Sequence, residues 1–289
     1  MRKALSLLLA GLFWSSVVMA DSAVYEVTKG KQKLFLAGTI HVLRPQDFPL
    51  PAEFDAAYRQ AQVIVFETDL HKVQTPEFGQ RFAQAMLLPD NKTLKDVLAP
   101  EVWASLQQYA TQNQYPLSQT MMYNPAMTSI MISMGELKKL GVGEGADFFY
   151  DKAARADQKT IKGLESEDDV LAYMKVFAAA DGNHIIRSTL KDTKEMGGMM
   201  ETLIGQWRQG DLKSLDKNLG EKMRSETADV YQALVVERNR KWQPQIEAML
   251  TTPEVEMVLV GTLHLSGKDG LIEQLKRAGY KVKPASVRD

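Results

Sequence analysis

Two stretches at opposite ends of the chain are near-copies: Lys33–His41 reads KLFLAGTIH and Glu256–His264 reads EMVLVGTLH. In each, an apolar run (Leu34–Ala37, Met257–Val260) reads as a buried β-strand and is closed by Gly-Thr-x-His. Strands apolar on both faces belong to covered parallel sheets, whose ligands sit beyond the carboxyl ends of the strands. Gly38 and Gly261 allow a turn or a close approach there. His41 and His264, two of only four histidines, then project from strand ends that can be neighbours in one crevice.

The segments between these copies predict an α/β fold. Ala23–Thr28 and Leu34–Ala37 flank Lys29-Gly30-Lys31, an opening β-hairpin. After the proline-marked loop Arg44–Pro51 come a helix over Ala52–Ala61 and a strand over Gln62–Glu67. Thr75 to Leu140 is helical in pattern, with Pro76, Pro89, Pro100, Pro116 and Pro125 near helix starts. A helix over Ala146–Asp157 and a strand over Thr160–Leu164 follow, and Glu167–Leu250 is mostly helix. Val255–Val260 and Tyr280–Val282 are strands, with a helix over Gly270–Ala278 between them. The expected architecture is a central mixed sheet with strands near both chain ends, flanked by many helices, with a helical middle region. One domain over 21–289 would carry a helical lobe at about 75–140.

Composition narrows the function classes. The 35 basic and 36 acidic side chains nearly cancel and no basic tract stands out, which argues against nucleic-acid binding. Residues 1–20 read as a secretory signal: Arg2 and Lys3, an apolar core over Ala4–Met19, and Val18-Met19-Ala20 before the cut. The expected mature chain starts at Asp21, without stable membrane insertion, in a bacterial periplasm or secreted. With no cysteine in the chain, disulfides, thiolate metal sites and a cysteine nucleophile are excluded.

Four polar residues fall at strand ends: His41, Glu67, Glu165 and His264. Two imidazoles and a carboxylate with open positions suit a catalytic divalent cation, and metal-assisted hydrolysis is the matching reaction class. His41, Glu67 and His264 are the candidate ligands, and Glu165 is a further ligand or the general base. Arg238, on the helical segment Asp229–Leu250, would hold a substrate carboxylate or an oxyanion. Each has a plainer reading. A histidine after Gly-Thr can cap a strand, Glu67 can pair with an arginine, and Arg238 can be solvated. His71 and His184 read as surface residues. The methionines at 121, 122, 127, 131 and 134 read as packing in a lid rather than as a copper(I) site. Gly141–Gly145 (GVGEG) reads as a loop and helix start rather than a phosphate cradle. No Gly-x-Ser-x-Gly elbow, His-Glu-x-x-His helix or dinucleotide fingerprint occurs.

The two motifs GTIH and GTLH and the strand-end Glu67, with Gly141–Ser166 and VERNRKW at Val236–Trp242, resemble the TraB/GumN family, relatives of the Tiki metalloproteases. The resemblance implies a fold of two related halves and a metal-dependent hydrolase acting as a peptidase. Manganese or cobalt is the implied ion, with zinc as a further option. It implies His41, Glu67 and His264 as the catalytic and metal positions and places Glu165, Arg238 and Asn239 in family segments. The substrate would be a peptide or a small molecule. The competing reading is a non-catalytic periplasmic protein that binds or sequesters such a ligand.

Overall fold

A computed structural model describes residues 22–287, so the signal expected at residues 1–20 lies outside the described residues. The strands are β1 (Val24–Lys29), β2 (Gln32–Thr39), β3 (Val42–Leu43), β4 (Val63–Thr68), β5 (Gly143–Glu144), β6 (Thr160–Glu165), β7 (Glu256–Gly261) and β8 (Lys281–Pro284). A six-stranded sheet runs β6-β4-β7-β2-β1-β8, and β3 pairs with β5 in a separate small ribbon. Neighbours from β6 to β2 are parallel, while β1 is antiparallel to both β2 and β8. The sheet is therefore mixed, as its sequence pattern predicts.

The central strands are buried on both faces, and their side chains alternate between two cores. Phe35 and Ala37 of β2, Ile64 and Phe66 of β4, and Met257 and Leu259 of β7 join Phe54, Tyr150 and Trp207 on one side. Leu34 and Leu36, Val63 and Val65, and Val258 and Val260 join Trp242, Ile246, Leu271 and Leu275 on the other. This is the period-2 alternation of a pleated strand with helices on both faces. Burying each large apolar side chain contributes about 1.5–3 kcal/mol, as an upper estimate.

The strand order decides what meets at the carboxyl edge. β7, from the far end of the chain, lies between β2 and β4 and is parallel to both, with Thr39 opposite Gly261 and Phe66 opposite Leu259. Away from the sheet, Leu94, Val102, Leu106 and Ile132 form a helical lobe with its own core, joined by Ile186 from the helix Gly182–Asp192. Among the described residues no helix is long and apolar enough to cross a membrane.

Candidate active site

The two Gly-Thr-x-His motifs pack against each other, and each glycine makes room for the other motif. A Cβ on Gly38 would lie 3.0 Å from Leu265 Cδ1 and 3.1 Å from Thr262 Oγ1. One on Gly261 would lie 3.1 Å from His41 Nε2 and 3.3 Å from Glu67 Oε1. The Thr262 hydroxyl donates to the Thr39 carbonyl at 2.8 Å, tying the copies together. Their conformations differ: after Gly38 the chain stays extended, whereas Thr262–His264 winds into a 3-10 turn.

The structure brings His41, Glu67 and His264 together. His41 Nε2 lies 3.9 Å from Glu67 Oε1, and His264 Nε2 lies 4.0 Å from the same oxygen. That oxygen also accepts the Gly261 amide at 2.6 Å. Each imidazole is held by its other nitrogen: His41 Nδ1 is 2.7 Å from Asp147 Oδ2, and His264 Nδ1 is 2.8 Å from Asn239 Oδ1. Asn239 spends its amide hydrogens on the carbonyls of His264 and Asp269, so its oxygen faces the ring and His264 Nδ1 is the donor. For the neutral His264 ring this leaves Nε2 carrying the lone pair.

Arg238 occupies the centre. Its side chain is 14% exposed and donates to Glu67 Oε2, to both Glu165 oxygens, and at 3.2 Å to His264 Nε2. Its guanidinium lies 4.6 Å from the Trp242 ring centre and 5.3 Å from that of Tyr173. Contact with both ring faces suits a weakly hydrated planar cation. The solvated reading of Arg238 does not hold, and the arginine pairing considered for Glu67 is present alongside its approach to the histidines. Glu165 is 2% exposed and is committed to Arg238 and, at 2.9 Å, to the Trp242 indole N–H.

The charges follow from these contacts. Burial opposes ionisation of Glu67, yet Arg238, the two histidines and the Gly261 amide hold its carboxyl well below the usual carboxylate range. Burial, opposed by Arg238, pushes Glu165 up. Burial is also the main cause that lowers His264 to about 3, so its ring is neutral. His41 is raised to about 9, chiefly by Asp147 and against its own desolvation. Its side chain is 60% exposed and forms the open side of the site.

Among the described residues no group of three or more His, Asp or Glu side chains is gathered to hold a metal ion as it stands. The nearest approach is His41, Glu67 and His264. Their donor chemistry fits a divalent cation: two anchored imidazoles and one ionised carboxylate. Arg238 holds the His264 lone pair, so ligation requires that contact to be released.

The remaining candidates lie apart from this cluster. His71 is 62% exposed, 4.0 Å from Asp151, and His184 lies 3.9 Å from Glu226 in the helical region. In the GVGEG segment, Gly145 caps the helix Ala146–Ala156, as a helix start should, while Gly143–Glu144 forms the strand β5 where a loop was expected. Sequence reasoning missed Asp147. Its signal was a carboxylate in the first turn of a helix whose neighbouring residues are buried.

The uncharacterized protein YbaP of Escherichia coli K12 is 24% identical over 257 residues, covering 86% of this chain and 89% of its own length. YbaP of Shigella flexneri matches with the same values. The Danio rerio protein named Metalloprotease TIKI1 is 21% identical over 302 aligned residues, covering 86% of this chain and 60% of that protein. No solved structure matches. The family model described as the TraB/PrgY/gumN family matches residues 23–284, nearly all of the described structure, and the chain belongs to that family.

Proposed function

We propose that the protein is an exported, metal-dependent hydrolase that cleaves peptide or amide bonds, with His41, Glu67 and His264 as the metal positions. One observation carries this reading: two imidazoles, each anchored through Nδ1, turn Nε2 toward one buried carboxylate oxygen at the ends of neighbouring strands. The family relationship, which extends to a protein named as a metalloprotease, supports the reaction class.

A bound divalent ion would supply an acidified water and polarise the scissile carbonyl. The chain's own residues do the rest. Asp147 and Asn239 orient the rings, and the Gly261 amide fixes the Glu67 oxygen between them. Arg238 places a desolvated positive charge on the other Glu67 oxygen, where it can stabilise negative charge developing on a substrate. Glu165 and Trp242 hold Arg238 in place, so Glu165 acts as a positioning residue in this reading rather than as a base.

The test is elemental analysis of the purified protein together with chelator-sensitive peptide digestion in manganese, cobalt or zinc. His41→Ala and His264→Ala should each lose the ion and the activity while keeping the parent circular dichroism. Variants that bind metal as well as the parent would remove the assignment. The second reading, a peptide-sequestering protein without turnover, draws on Arg238 holding the His264 lone pair. It predicts peptide binding with no chelator-sensitive products.

A further inference from the structure

An apolar hollow of about 550 Å³ opens beside His41 and is lined by Val42, Met134, Leu137 and Phe148. A second hollow, of about 580 Å³, is lined by Leu43, Phe48 and Phe149. The β3–β5 ribbon separates them. Gly143 and Glu144 border both, Val42 lines the first and Leu43 the second, as successive strand residues facing opposite ways require. Each hollow displays a large apolar side chain that packing does not cover, Met134 at 50% exposure and Phe149 at 44%. Gly143 and Glu144 are themselves exposed, and among the described residues their backbones form no hydrogen bond beyond the ribbon.

We propose that this ribbon is the docking rail for the substrate of the neighbouring site. An extended peptide adds alongside Gly143–Glu144 and places one apolar side chain in the hollow beside His41. The side chain facing the other way enters the second hollow. Strand addition supplies main-chain hydrogen bonds common to any sequence, while pockets for alternate side chains supply the selectivity. Both volumes lie in the range of small-molecule pockets and admit a leucine, methionine or phenylalanine side chain. The preferred substrate is thus an extended peptide with a large apolar residue next to the cut. This rests on the hydrolase reading, and continuity carries it: His41 lines both the reacting site and the first hollow.

Gly135 borders the first hollow in the middle of the helix Pro125–Lys139, and a Cβ there would meet nothing within 4 Å. Gly135→Phe therefore fills the hollow without displacing backbone, and Met134→Ala enlarges it. The experiment digests a peptide library with the purified protein in manganese and sequences the products by mass spectrometry. Cuts should fall beside Leu, Met or Phe. Gly135→Phe should lower the kcat/KM ratio of a leucine peptide over its alanine counterpart by about tenfold, and Met134→Ala should shift preference toward tryptophan. Cleavage without apolar preference, or an unchanged ratio in Gly135→Phe, overturns the docking proposal and leaves the hydrolase reading standing. A protein that cuts nothing in manganese, cobalt or zinc overturns that reading, and binding then decides the docking proposal. Indole emission of Met134→Trp should shift to the blue with acetyl-Leu-Leu-amide and not with acetyl-Ala-Ala-amide; no shift with either overturns it.

Discussion

Asn239 and His264 are joined twice: the Asn239 oxygen accepts from His264 Nδ1 at 2.8 Å, and its amide donates to the His264 carbonyl at 3.0 Å. The second amide hydrogen goes to the Asp269 carbonyl at 2.9 Å. This one buried side chain sets both the ring and the turn that carries it. Asn239→Leu should therefore lose metal retention and cost at least about 2 kcal/mol, because two carbonyls and a ring N–H lose their partners. Urea unfolding with elemental analysis checks this; parent-like stability and ion content would count against it.

Arg238 neutralises two buried carboxylates, Glu67 and Glu165. Removing one partner of a buried pair is far more damaging than removing both, so Arg238→Met should destabilise by about 3–5 kcal/mol. Adding Glu165→Gln to Arg238→Met should recover part of that loss. An additive double variant would show that the two side chains do not act as a pair.

Gly261→Ala places a methyl group 3.1 Å from His41 Nε2 and 3.3 Å from Glu67 Oε1. His41 is exposed and can swing outward, so the fold should tolerate the methyl while the approach of the ring to Glu67 is lost. We expect activity to fall by about a hundredfold with little change in thermal midpoint. Retained activity would mean that this approach is not needed.

The metal-free protein should be most stable near the ordinary imidazole range. His41 is raised from 6.5 to about 9, so its contribution is complete below 6.5 and is lost as pH rises through about 9. His264 is lowered from 6.5 to about 3, so on acidification the unfolded ring takes up a proton that the folded ring refuses, and stability falls from 6.5 toward 3. Denaturant midpoints in chelator-treated protein should trace both limbs. Asp147→Asn should flatten the alkaline one, and a slope that survives this change would exclude His41 as its source.

Part of this site was legible from local pattern alone. The twin strands, the histidines that follow them and Glu67 could be placed because period-2 apolar runs report burial and because a polar residue ending such a run is poorly explained by packing. The hairpin, the strand read over Thr160–Leu164 and the closing strand came from the same signal, and the closing helix from its amphipathic helical period. Arg238 was different. It sits among Glu237, Arg240 and Lys241, and in a charged run nothing local separates the one side chain that turns inward from those that stay in water. Asp147 was hidden for a different reason: it stands in the first turn of a helix, where a carboxylate is commonplace because it favours the helix N-terminus.

The sequence by itself determined which segments become buried strands and which polar residues stand at their ends, since both depend on neighbours within a few positions. Tertiary structure alone decided that β7 enters between β2 and β4, so that His41, Glu67 and His264 face one another. It also decided that Arg238 lies among them and that Glu165 serves Arg238. The Arg238 pairings with Glu165 and Glu67 join residues 73 and 171 positions apart, where strand order and side-chain direction are set by how whole layers pack.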